Sequence, residues 1–380
     1  MRPQLPALTG LRFIAALLVM YAHSICYYLP ELRGTGSPLY DSFVVAHVGM
    51  TLFFVLSGFV IHYNYGPKVV AGRLREFFCA RVARLYPLYL LFLAAAVIRK
   101  PAAGEGYWQL APAYLTLTQN WWPVAGADIY FAAAWSISTE LGLYLLYVPA
   151  AVALVRLRSE ATCRTVIAVY VAAASALFAG LYAAGLFDGW WVYKSPYARV
   201  AEFGLGALLA QYFVVTKGDI SQAAARRWSL VGVGLLTGAA AFVVAGSSTR
   251  QTLGYCWTYA PGAAALIVAV WNARSFAART LGSRPLVLLG EASYSLYFLH
   301  TGVFHLFAPT SGSGLVTLSK IAASWLIACA SSIVLYHVYE VPLRNLIRRR
   351  REPGAWSREL RAKNREILSG STFQAPSSSL

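Results

Sequence analysis

Apolar residues fall into ten blocks, separated by connectors that are basic, polar or broken by glycine and proline. The first block, Leu11–Leu29, is long enough to cross a hydrocarbon core ~30 Å thick. The others run over about residues 43–65, 84–98, 135–155, 165–186, 200–215, 228–245, 255–271, 286–307 and 315–341. Each predicts a membrane-spanning helix, because a helix satisfies its own backbone hydrogen bonds where no water is present. Residues 99–134 are aromatic and interrupted by Pro and Gly, so this stretch predicts a re-entrant or interfacial segment rather than a clean span. No A-x-A-like cleavage site follows the first block, which is therefore expected to stay as the first span. The pattern predicts an all-α polytopic membrane protein of about ten transmembrane helices. It further predicts a membrane domain over 1–345 and a basic, disordered cytoplasmic tail over 346–380.

Composition agrees. The 380 residues are 58% hydrophobic and only 12% charged, with mean hydropathy +0.55, about half the charge of an ordinary soluble domain. The net charge of +17 would point to nucleic acid in a soluble chain. Here the Lys and Arg residues sit between apolar blocks and no base-reading motif occurs, so membrane topology and anionic lipid explain the excess. Most of them fall on alternate connectors, which predicts a multi-pass protein of the bacterial inner membrane with both termini in the cytoplasm. Arg199 counts among the few outer basic residues in this scheme. The five cysteines are scattered without a C-x-x-C pair, so packing thiols are expected and no metal site.

Polar residues inside the apolar blocks are the candidates for chemistry. Arg12 and His23 are eleven apart, about 1100° of helical rotation, so they share a face about 16 Å apart along the axis. They either act together or are a snorkelling arginine and a satisfied core histidine. Arg81 and Arg84 share a face by their i, i+3 spacing and suit a phosphate-bearing ligand or lipid headgroups. Glu140, in WSISTELGLYLL, is costly within a membrane unless paired. It suits orienting or acid–base work beside a histidine, or else a buried structural pair. The hydroxyls and His300 of ASYSLYFLH read as hydrogen bonds between helices, and His47, His62, His305 and His337 as structural. Glu202 and Glu340 are intramembrane or near-boundary acids with no named partner.

At these residues the chain resembles the membrane acyltransferase-3 family of bacterial O-acyltransferases. The matching pieces are LTGLRFIAALLVMYAH with its R-x10-H at Arg12 and His23, FFVLSGFVI, the RxxR at Arg81 and Arg84 running into RLYPLYL, LTQNW, WSISTELGLYLL and SYSLYFLH, in family order over residues 8–300. Leu141 and Gly142 depart from the commoner polar and aromatic pattern after the acidic position. The resemblance implies His23 and Glu140 as catalytic residues, and Arg12, Arg81 and Arg84 as cofactor-binding residues toward acyl-coenzyme A. The acyl-coenzyme A, acetyl above all, would be a co-substrate used from the cytoplasm, with no permanently bound cofactor. The implied acceptor is a hydroxyl of a glycan or glycosylated metabolite. Many relatives carry a further C-terminal hydrolase-like domain, which is not expected here. A transporter or flippase of a lipid-linked or acylated glycan is the alternative, since it too would use intramembrane polar residues. It does not require the arginine pair.

Overall fold

The computed structural model describes residues 5–351 except 100–107, 123–129, 132, 188, 219, 246–251, 272–273 and 308–313. The described residues are mostly helical, with no strand among them. The chain orders them as α1 Pro6–Tyr28, α2 Pro38–Asp41, α3 Val45–Val70, α4 Leu74–Arg99, α5 Ala111–Thr116, α6 Ala134–Val155, α7 Glu160–Ala183 and α8 Gly189–Lys194. There follow α9 Pro196–Thr216, α10 Gln222–Val244, α11 Ala260–Trp271, α12 Phe276–Leu281, α13 Arg284–Glu291, α14 Ser293–Leu306, α15 Gly314–Leu335 and α16 Val341–Arg351. Eight of the described helical stretches are long and apolar enough to cross a membrane. All ten apolar blocks have a helical counterpart. The eighth is a short apolar helix over Trp257–Trp271, and the ninth is divided between α13 and α14 at Ala292.

Cross-helix contacts set the directions of the helices. Gly49 on α3 abuts the Ala15 carbonyl and Tyr21 bonds Ser42, so α1 and α3 are antiparallel. Ser57 meets Glu140 and His62 meets Tyr147, so α3 and α6 are parallel. Thr51 meets Glu202 and His62 meets Gln211, so α3 and α9 are parallel as well. Thr9 touches Gly290 and His23 meets His300, so α1 runs alongside α13–α14. Blocks of equal parity therefore run the same way and neighbours in sequence run oppositely, as alternate crossings require.

The closest packing is between α3 and α9. A Cβ on Gly58 would lie 1.9 Å from the Phe203 carbonyl oxygen, and one on Gly206 would lie 1.9 Å from that of Val55. Small residues let two backbones meet where burial of apolar surface drives nothing, since lipid is as apolar as the side chains. Outward faces carry the opposite composition. Leu177 on α7, Leu230, Val233 and Phe242 on α10, and Leu318, Leu326 and Val334 on α15 are all exposed. An apolar belt of this kind suits lipid rather than water.

Two expectations are corrected. The basic stretch at 66–84 is not a long connector: α3 continues to Val70 and α4 begins at Leu74, with only a tight turn between them. Arg81 and Arg84 therefore sit two to three turns inside α4, not at its start. Arg199 is not in an outer connector. It is fully buried in the first turn of α9, where an ion pair with Glu202 compensates its burial. The last apolar block passes through a π-helical turn at Tyr336–Glu340 into α16, which runs to Arg351. Residues 352–380 lie outside the described residues.

Candidate active site

Five helices converge on a cleft of about 100 Å³. Arg12 enters from α1, and Arg81 and Arg84 enter from α4. Ser57 comes from α3, Ser136, Glu140 and Tyr144 from α6, and Ser293, Tyr294 and Tyr297 from α14, with Phe53, Phe54 and Ile61 among the apolar walls. Three guanidinium groups against one carboxylate leave the cleft cationic. Among the described residues, no carboxylate lies within ion-pair distance of Arg12, Arg81 or Arg84. Arg81 is 9% exposed, donates from Nη2 to the Tyr65 hydroxyl at 3.0 Å and lies over the Tyr65 ring at 4.7 Å. Its Nε has no partner. A buried guanidinium with a free donor, beside two others, is a ready receptor for phosphate-type oxygens.

Glu140 is held from two sides. Ser57 Oγ donates to its Oε1 at 3.0 Å, and the Tyr144 hydroxyl, one turn along α6, donates to the same oxygen. The frame around it is built by the other motif residues. Asn120 N donates to Ser138 Oγ at 3.1 Å, Trp121 Nε1 donates to the Ser138 carbonyl at 3.1 Å, and Gln119 Nε2 donates to the Ala134 carbonyl at 3.2 Å. The LTQNW segment thus docks on the first turns of α6 and orients them. Gly142, where the sequence leaves the commoner pattern, admits Pro196 at the start of α9: a Cβ there would meet the proline ring at 2.7 Å.

His23 is not in the lining of this cleft. It sits three turns further along α1, half-buried, with its Nδ1 2.9 Å from Nε2 of His300 on α14. The link between the two places is Tyr297. It lines the cleft, and its ring lies 6.0 Å from that of His300, one helical turn on. The structure thus gathers Arg12, Arg81, Arg84 and Glu140 in one cleft and places His23 three turns along α1 from Arg12, beside His300. The sequence reading missed His300 as the partner of His23. Its signal was the 293, 297, 300, 304 spacing, which puts Ser293, Tyr297, His300 and Phe304 on one face of α14.

Other polar groups are structural. Glu202 pairs with Arg199, both fully buried. Arg199 Nη1 reaches both carboxylate oxygens at 2.9 Å, and Thr51 donates to Oε1 at 2.6 Å. The Arg199 guanidinium lies over Phe54, which lines the cleft, at 5.1 Å. Glu340 accepts from Ser295 Oγ at 2.9 Å, and the Tyr294 hydroxyl donates to the Leu85 carbonyl at 2.7 Å. His62 bridges Tyr147 and Gln211.

The acyltransferase-domain model of the acyltransferase-3 family matches residues 5–337. This chain belongs to the acyltransferase-3 family. It is similar to "Acyltransferase MdmB" of Streptomyces mycarofaciens, 30% identical, over 92% of this chain and 94% of that protein. It is also similar to "Putative peptidoglycan O-acetyltransferase YrhL" of Bacillus subtilis (strain 168), 26% identical over 90% of this chain and 55% of that one. Against "O-acetyltransferase OatA" of Staphylococcus aureus (strain NCTC 8325 / PS 47) it is 24% identical over 90% of this chain and 57% of that one. The chain thus spans nearly all of MdmB and little more than half of the other two. No solved structure matches. The protein is a multi-pass membrane acyltransferase.

Proposed function

We propose that the protein moves an acyl group, acetyl by preference, from acyl-coenzyme A to a hydroxyl of a glycan or glycosylated metabolite. The observation that carries this reading is the convergence of Arg12, Arg81 and Arg84 on one cleft beside Glu140, with His23 on the same helix as Arg12. In this reading the three guanidiniums hold the phosphates of the donor and the thioester arm runs along α1. Arg12 and His23 are about 16 Å apart along that axis. A pantetheine arm of about twelve chain atoms, equivalent to about four residues, extends to about 14 Å, so an arm fixed by long arginine side chains reaches the histidine. The names of YrhL and OatA, both O-acetyltransferases, favour an acetyl group, and that of YrhL favours a sugar polymer as acceptor.

The chemistry then follows from the side chains. His23 takes the proton of the acceptor hydroxyl. The hydroxyl oxygen attacks the thioester carbonyl, a C–O bond forms, the C–S bond breaks, and the imidazolium returns its proton to the departing thiolate. Glu140, fixed by Ser57 and Tyr144, orients the donor or acceptor. Membranes bearing the protein are incubated with labelled acetyl-coenzyme A and an extract of cell-envelope glycans. Transfer of label to the glycan fraction is expected, and His23→Ala at equal protein level should lower it about 10²–10⁴-fold. Undiminished transfer by His23→Ala removes the histidine from the mechanism. Failure of wild-type membranes to consume acetyl-coenzyme A in the presence of acceptor removes the donor.

A further inference from the structure

The two histidines are joined by a hydrogen bond whose direction can be read from a third group. His300 Nδ1 lies 3.2 Å from the Leu296 carbonyl oxygen, one turn back on its own helix. A carbonyl oxygen only accepts, so that nitrogen carries the proton. A neutral imidazole has one N–H, which leaves His300 Nε2 as an acceptor. His300 Nε2 lies 2.9 Å from His23 Nδ1, which must then be the donor. His23 is left with its Nε2 unprotonated. The rings are close, with centroids 4.9 Å apart, and His300 is 1% exposed, wedged by Phe304 at 5.7 Å and Tyr297 at 6.0 Å, so its orientation is fixed by packing. From these contacts we infer that His300 is a positioning residue for acyl transfer, holding His23 in the tautomer whose Nε2 lone pair accepts the acceptor's proton.

The inference rests on the reading of His23 as the base and adds the reason why that histidine is competent. A free neutral imidazole distributes its proton between both nitrogens. The Leu296–His300–His23 chain selects one of them, as a carboxylate does in hydrolytic triads. When His23 becomes an imidazolium, its Nδ1–H continues to donate to His300, so the new charge meets a lone pair already aimed at it. No proton leaves the pair through His300. The proton taken at His23 Nε2 goes to the departing thiolate.

Two measurements on the full-length protein in detergent test this. The first is ¹⁵N NMR of protein labelled on its histidine ring nitrogens, at a pH where both rings are neutral, with His23 identified by loss of its signals in His23→Ala. Protonation at Nδ1 and a pyridine-type Nε2 are expected, and a ring protonated at Nε2 overturns the inference whether or not His23 is the base. The second is kinetic. His300→Ala should lower kcat about ten- to a hundredfold while leaving the acyl-donor KM unchanged. His300→Gln, whose side-chain oxygen can accept from Nδ1–H, should recover at least part of the loss. Wild-type kcat in folded His300→Ala, or a loss that His300→Gln does not relieve at all, overturns it. Should the alanine variant not fold, the wild-type spectrum and the glutamine variant decide. Activity in His23→Ala separates failure of the base assignment from failure of the tautomer lock.

Discussion

Arg81 and Arg199 are both buried arginines, and their surroundings assign them opposite jobs. Arg199 has Glu202 at 2.9 Å, the Tyr193 carbonyl at 2.8 Å from Nε, and rings of Phe54 and Tyr193 at 5.1 Å. Breaking such a pair strands a charge, so Glu202→Gln is expected to cost about 3–5 kcal/mol, and replacing both partners by apolar residues should recover much of it. Thermal unfolding of the purified single and double variants measures the difference. Each keeps one nitrogen without a partner, Nε in Arg81 and Nη2 in Arg199, but Arg81 has only the neutral Tyr65 hydroxyl where Arg199 has a carboxylate. Loss of a charged hydrogen bond to ligand is worth about 1.5–3 kcal/mol. Arg81→Ala should therefore raise the donor KM by about ten- to a hundredfold with little change in kcat. An unchanged KM would remove the arginine from donor binding. Glu140 stands between these cases. Glu140→Gln keeps an acceptor for Ser57 and Tyr144, so protein level should hold while transfer falls, and paired immunoblot and activity measurements read both.

Helices carry these side chains to their places through contacts that leave little room. Gly58 within FFVLSGFVI and Gly206 on α9 each face a carbonyl oxygen of the other helix. Any larger residue must push the backbones apart, and overpacking costs typically about 1–3 kcal/mol. Gly58→Leu should lower the unfolding temperature and also the activity, because α3 carries Ser57 into the cleft beside it. Unaltered unfolding would show that the contact between α3 and α9 is looser than the geometry implies. The break at Ala292 divides the ninth apolar block into α13 and α14, which the sequence pattern does not announce, since the apolar residues run on through it. The 66–84 stretch errs in the other direction. Its five basic residues look like a connector, yet long Lys and Arg side chains tolerate helix ends near a membrane surface, and Lys68 and Arg73 pair with Glu76 across the turn.

Across the bundle, the shared direction of α3, α6 and α9 agrees with alternate crossings, and the exposed leucines and valines of α7, α10 and α15 mark the lipid-facing side. Both termini of an even-span protein should face the cytoplasm, where the basic connectors cluster. Reporter fusions at either end, active only in the cytoplasm, are expected to give signal at both; a silent end would mean an odd number of crossings. Helix positions, a composition unlike that of a soluble domain and the polar positions Arg12, Arg81, Arg84 and Glu140 that line the cleft could be read from the chain. In hydrocarbon each backbone must satisfy itself locally, so apolar runs and helices coincide. Which of those residues meet could not be read. His23 and His300 are 277 positions apart, Arg199 meets Phe54 only when α3 and α9 pack, although its i, i+3 partner Glu202 lies on its own helix, and the arginine cleft needs five helices at once. Such meetings depend on how side chains from distant segments fill shared space, a property of packing that no local periodicity encodes.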